Sequence, residues 1–181
     1  MDLRPATDRD IDAICRLLNA LLATTTIEWT ETSKTVQSTR AWLDDHHTVL
    51  VAEDDGEVVG VAAYGWFRDA TVRPGYRFTV ENTIHVRRDH WGTGLAQVLM
   101  EALIADAKAH DIHVMVAAID ASNEVSLRFH TQLGFIEVAR MPEVGAKFGR
   151  WLTLVLLQLR LDDRPEPPDD AHHTRATATE P

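Results

Sequence analysis

The chain has 181 residues, 45% of them apolar, and a formal net charge of -10, which fits one domain with a substantial core and argues against nucleic acid or an anionic membrane as the main partner. A lone cysteine, Cys15, excludes an intrachain disulfide and reads as packing on the first helix. No signal peptide opens the chain and no apolar run approaches the ~20 residues of a bilayer span, so a soluble cytoplasmic protein is expected.

Leu3 to Ala6 predicts a short first strand, and Thr7 with Asp10 three residues on forms a capping-box-like helix start. Ile11, Ile14, Leu17, Leu18, Leu21 and Leu22 then recur at helical spacing. Thr24 to Thr32 is β-branched and irregular, a loop, and Ser33 is expected to cap a second helix through Val36, Trp42 and Leu43. Thr48 to Glu53 reads as a strand, Asp55-Gly56 as a hairpin turn, and Glu57 to Phe67 as the returning strand. After a loop from Arg68 to Gly75, a long strand is predicted over Tyr76 to Val86.

A glycine turn (Gly92, Thr93, Gly94) follows, then a helix from Leu95 to about His110. The apolar run Ile112 to Ile119 fits a central strand buried on both faces. Ser122 or Asn123 caps a helix that ends near Leu133, with Gly134 as its left-handed terminator. Phe135 to Ala139 reads as a strand, Met141 to Gly149 as a loop, and Arg150 to Leu161 as the last strand. The domain is taken as residues 1–162, and 163–181, polar and rich in proline and acids, as a disordered tail. The order predicts an α/β fold, a mixed, mostly antiparallel sheet of six to seven strands with about four helices on its faces. Its one parallel crossover runs from Tyr76–Val86 to Ile112–Ile119.

A strand, a glycine turn and a helix N-terminus together make an anion site, because glycines let backbone approach closely and the first helical amides point at the ligand. A P-loop needs lysine and Ser/Thr after the last glycine, where Leu95 and Ala96 stand. A dinucleotide fold needs the turn after the first strand, whereas here it follows an antiparallel meander.

The run Trp91-Gly92-Thr93-Gly94-Leu95-Ala96 resembles the pyrophosphate loop of the GNAT acetyl-CoA-dependent N-acetyltransferases, with Trp91 replacing the usual Gln or Arg. A second family signature is matched by Asn123, Ser126, His130, Gly134 and Phe135. The segments YRFTVENTIHV, HVMVAAIDASNEVSLRFHTQLGF and PEVGAKFGRWLTL are similar to the phosphinothricin and methionine sulfoximine/sulfone N-acetyltransferases, from about Leu3 to Asp162.

That resemblance implies acetyl-CoA as co-substrate and the α-amine of a small L-amino acid or analogue as acceptor. Acylating an amine needs removal of a proton and stabilisation of a tetrahedral oxyanion. Glu81 matches the family's general base, set in an otherwise apolar strand where partial burial raises a carboxylate pKa. His130 stands where the superfamily has its general-acid tyrosine, either as an acid or as a plain helix-face histidine. The resemblance implies that main-chain groups of Ile84, His85 and Val86 hold the pantetheine arm. It also places the pyrophosphate on Gly92, Thr93, Gly94, Leu95, Ala96 and Gln97, with Asn123 beside the arm.

Arg73 and Arg77, flanking Pro74, Gly75 and Tyr76, are candidates for the substrate carboxylate, and Trp29 with Tyr76 for pocket walls. Lys147, Phe148 and Arg150 lie in a loop that approaches the site in such relatives, which are usually homodimers. His85, His110 and His113 form no metal-ligand spacing, and no metal is expected. A peptide N-terminal acetyltransferase and a non-catalytic acetyl-CoA-binding module are the alternatives.

Overall fold

The computed structural model describes residues 1–168, so residues 169–181 of the expected tail lie outside the described residues. The strands are β1 (Asp2–Pro5), β2 (Thr48–Asp54), β3 (Glu57–Trp66), β4 (Thr79–Val86), β5 (Val114–Asp120), β6 (Ile136–Lys147) and β7 (Arg150–Arg160). The helices are α1 (Ile11–Leu22), α2 (Val36–Asp45), α3 (Leu95–Ala109) and α4 (Glu124–Gln132). The strands form one mixed sheet in the order β1-β2-β3-β4-β5-β7-β6. Every neighbour pair is antiparallel except β4–β5, the predicted crossover through α3.

Local chemistry accounts for the element ends. Asp10 accepts from the Thr7 amide and hydroxyl, which fixes the entry to α1. Asp55 and Gly56 both take positive φ, the geometry that lets β2 and β3 pair across a two-residue turn. The predicted face of α1 buries Ile14, Leu17, Leu18 and Leu21 against Val49, Val51, Val61 and Ala63. On the opposite face of the sheet α3 buries Leu95, Leu99, Met100 and Leu103 with Ala52, Val59, Ala62 and Val80.

Three expectations are corrected. The α2 cap is Thr35, whose hydroxyl accepts from the Ser38 amide, rather than Ser33. The strand expected from Tyr76 begins at Thr79, because Pro74–Tyr76 close a 3-10 turn. Met141 to Lys147, expected as loop, continue β6 along the sheet edge. The pairing there is irregular between Met141 and Gly145, which hides its period in the sequence. Among the described residues no helix is long and apolar enough to cross a membrane.

The feature that positions the site is where β4 and β5 part. Their pairing runs Thr79↔Val114, Val80↔Met115 and Glu81↔Val116, then stops. Both strands continue, to Val86 and Asp120. Beyond Glu81 they therefore bound a wedge whose β4 edge carries main-chain groups with no strand partner.

Candidate active site

A cavity of about 560 Å³ fills this wedge. Glu81 to His85 of β4 form one wall, Ala117 to Ile119 of β5 another, and Ser126 and His130 of α4 a third. The segment between α1 and α2 closes the remaining side with Ile27 to Thr30 and Lys34. Strand alternation sorts the β4 side chains by face. Val80, Asn82, Ile84 and Val86 point toward α3 and α4, whereas Glu81 and His85 share the face toward the α1–α2 segment.

Glu81 lies at the vertex of the wedge. Burial pushes its carboxyl above the usual carboxylate range, opposed by the charge of Arg68. A raised pKa makes a carboxylate a stronger proton acceptor than an ordinary one.

On the other face Asn82 and His130 form a buried pair, with Asn82 Nδ2 3.2 Å from His130 Nε2. His130 Nδ1 sits 2.8 Å from the Ser126 carbonyl. A carbonyl only accepts, so Nδ1 carries the hydrogen and Nε2 accepts from the Asn82 amide, a tautomer assigned from the network. Burial pushes the His130 pKa down, with the Ser126 carbonyl opposing, which favours a neutral imidazole over the imidazolium that a general acid requires. Asn82 Oδ1 is buried without a partner and borders the cavity. Asn123 caps α4 by accepting from the Ser126 amide, which leaves its own amide hydrogens available to a ligand.

The glycine turn sits at the open end of β4. Gly92 and Gly94 have φ of 75° and 87°, and a Cβ on either would meet open space. Here glycine serves the backbone angle rather than internal packing. Gln97 is the first residue whose amide closes onto the Gly94 carbonyl, so the Leu95 and Ala96 amides at the start of α3 precede the helical ladder. The Trp91 indole donates to the Val86 carbonyl at 2.7 Å and braces the turn against the strand.

The substrate-side wall has no regular secondary structure, yet side chains pin it at several points. Lys147, 2% exposed, donates to the carbonyls of Leu22, Thr25 and Glu28 at 2.8–2.9 Å. Thr26 donates to Asp120 at the end of β5, and the Phe148 amide to Glu31. Trp29 lines the cavity and packs flat on Gly145, where any Cβ would overlap its ring. Glu28 is flanked by Lys34 Nζ at 2.9 Å and His85 Nε2 at 3.6 Å. Burial works to raise the Glu28 pKa, but His85 and Lys34 outweigh it and hold the carboxyl at about 2.

The structure thus brings together Glu81, Ile84, His85, His130 and Trp29 on one cavity. It does not bring Arg73, Pro74, Gly75, Tyr76 or Arg77 to the cavity wall. All but the half-buried Arg77 are exposed, and Arg77 stacks on Phe78 at 4.4 Å and donates to the Pro74 carbonyl. Sequence reasoning missed Arg68, Lys34 and Asn82. For Asn82 a signal existed, a polar residue on the inward face of a buried strand. Arg68 and Lys34 stand in loops where spacing carries no such signal.

The acetyltransferase (GNAT) family model matches residues 14–135. The chain belongs to this family. The L-amino acid N-acyltransferase MnaT of Escherichia coli (strain K12) is 40% identical over 171 residues, covering 92% of this chain and 98% of that protein. An L-methionine sulfoximine/L-methionine sulfone acetyltransferase of Pseudomonas aeruginosa is 42% identical over 165 residues, covering 88% and 94%. The crystal structure of a GNAT superfamily phosphinothricin acetyltransferase from Sinorhizobium meliloti in complex with AcCoA has a TM-score of 0.87 at 26% identity, covering 95% of each chain. The GNAT chain described here is accordingly an acetyltransferase enzyme.

Proposed function

We propose that this enzyme transfers the acetyl group of acetyl-CoA to the α-amine of a small L-amino acid or analogue, with Glu81 as general base. The observation that carries this reading is the half-buried Glu81 carboxyl at the vertex of the β4–β5 wedge, on the strand that ends in the glycine turn. Acetyl-CoA supplies the acyl group as a thioester. The β4 edge at Ile84, His85 and Val86 has no strand partner on the β5 side and offers main-chain groups to its extended arm, in the manner of an added strand, the Val86 carbonyl excepted, which accepts from Trp91. The residues from Gly92 to Gln97 offer amides and the α3 dipole to its pyrophosphate, and Asn123 its free amide hydrogens to the arm.

Glu81 takes the proton that the amine gives up as its nitrogen is acylated. His130 serves as a fixed neutral acceptor that orients Asn82, because burial opposes its protonation. Arg73 and Arg77 remain candidates for the substrate carboxylate if their loop closes over the wedge, and Arg68 is already placed to act on Glu81.

The names of the relatives support free amino acids as acceptors. We further propose residues 1–162 as the catalytic domain, a cytoplasmic location where acetyl-CoA is supplied, and a homodimer. The exposed apolar side chains Ile136, Val138, Met141 and Val144 on β6 and Trp151 on β7 suit a face covered by a second copy.

A thiol-release assay over free amino acids, short peptides and polyamines tests the acceptor class. Turnover is expected on small free amino acids with oxygen-rich side chains. Turnover on peptides with none on free amino acids would favour the N-terminal reading. The cofactor half is tested by Gly94→Ala. A non-glycine residue in the left-handed region is strained by about 1–2 kcal/mol, so the turn shifts. The KM for acetyl-CoA is expected to rise about tenfold while the KM for the amine stays put.

A further inference from the structure

We infer that Lys34 is a specificity-determining residue whose ammonium, held at the far end of the cavity by Glu28, donates to an oxygen on the side-chain head of the amino-acid substrate. The inference rests on the amino-acid reading above and narrows it to substrates with a neutral, oxygen-bearing head. An oxygen-rich head needs donors. Among the described residues Lys34 is the only Lys or Arg side chain on the cavity wall.

Lys34 is held in place although it precedes α2 in an irregular segment. Asn19 on α1 clamps its main chain from both sides, accepting from the Lys34 amide at 2.8 Å and donating to its carbonyl at 2.9 Å. The side chain is 18% exposed, with Nζ 2.9 Å from Glu28 Oε2. That ion pair engages one of three ammonium hydrogens and leaves two. The other Glu28 oxygen faces His85 Nε2 at 3.6 Å, beyond hydrogen-bond length. His85 is 5% exposed, and neither of its ring nitrogens has a hydrogen-bond partner. This end of the cavity is therefore polar, preorganised and incompletely paired, as a ligand subsite is.

Its place in the cavity selects which part of the substrate it meets. His85 follows Glu81 by four residues on the same strand face, about 13 Å along β4. An α-carboxylate stays beside the amine and so at the Glu81 end. Of the substrate, only the side-chain head can extend from there toward Lys34, whose four-carbon arm reaches into the cavity from its own end. Glu28 already balances the charge of Lys34, so a neutral acceptor such as a sulfone or sulfoximine oxygen suits the site better than an anionic phosphinate, which Glu28 would repel.

The test compares methionine sulfone with methionine, which differ only in two oxygens, in the wild type, Lys34→Met and Lys34→Arg. The wild type is expected to favour the sulfone. Lys34→Met is expected to lose roughly ten- to hundred-fold of that preference through the KM of the sulfone. The preference is read as the ratio of kcat/KM on the sulfone to that on methionine, so that any loss common to both substrates cancels, and Lys34→Arg should retain most of it. A wild type without preference, an unchanged preference in Lys34→Met, or an equal loss on both amino acids overturns the inference and leaves the amino-acid reading standing. A wild type inactive on every free amino acid removes that reading, and the inference with it.

Discussion

Glu81→Gln is expected to lower kcat by about 10²–10⁴, the usual worth of a positioned general base, while leaving the KM for acetyl-CoA unchanged. The substitution keeps the shape of the side chain and removes only its ability to take a proton. Folding works in the opposite direction. Burial raises the pKa of Glu81 in the folded enzyme, so ionising it there is harder than in the unfolded chain. As pH rises from the ordinary carboxylate range through the raised value, the folded state holds a proton longer than the unfolded one and stability falls. At neutral pH the glutamine variant should therefore melt at the same temperature as the wild type or higher. Loss of turnover with retained stability separates a base from a structural acid. Unchanged kcat would remove Glu81 from the mechanism. The acid limb of the wild-type pH–rate profile should lie above the ordinary carboxylate range. It should move to higher pH in Arg68→Gln, because the Arg68 charge opposes the rise that burial imposes on the Glu81 pKa.

The local structure of β4, the glycine turn and α3 was legible in the sequence because local rules govern it. Two glycines at positive φ, an apolar strand with one acid and a helix with a clear apolar face lie in a single stretch from Glu81 to Met100. Asn123 and Gly134 were legible for the same reason, a cap and a left-handed terminator. The opposite wall was not. Residues 24–35 have neither period nor cap until Thr35, and what orders them is distant in sequence: Lys147, Asp120, Gly145 and Phe148. The second half of β6, from Met141, was read as a loop because it lies on an edge strand with exposed residues, a proline at 142 and positive φ at Glu143, which break the two-residue period. Arg73 and Arg77 were chosen for chemistry that does suit a carboxylate, but they do not line the cavity, and where a loop lies relative to a wall built from distant segments is not set by local spacing.

Lys147→Met is expected to be the most destabilising of these substitutions, and its cause is the same long-range anchoring. The three ammonium hydrogens of Lys147 are matched by three carbonyls, of Leu22, Thr25 and Glu28, that no helix or strand satisfies. Methionine fills nearly the same volume and supplies no donor. Each carbonyl left unpaired in a largely buried setting costs about 1 kcal/mol or more, so the loss is about 3 kcal/mol. Calorimetry should register this as a fall in Tm of roughly 6–12 °C for a domain of this size. The same change releases the wall that carries Trp29 and Glu28, so the KM for the amine should rise while the KM for acetyl-CoA, which the proposed function assigns to β4 and the glycine turn, should not. A variant as stable as the wild type would mean that water replaces the ammonium at all three carbonyls and that the wall is held by Thr26, Asn19 and Glu31 alone. The buried ammonium is expected to matter because it joins the hairpin of β6 and β7 to the loop after α1, two segments 119 to 125 residues apart that share no strand pairing.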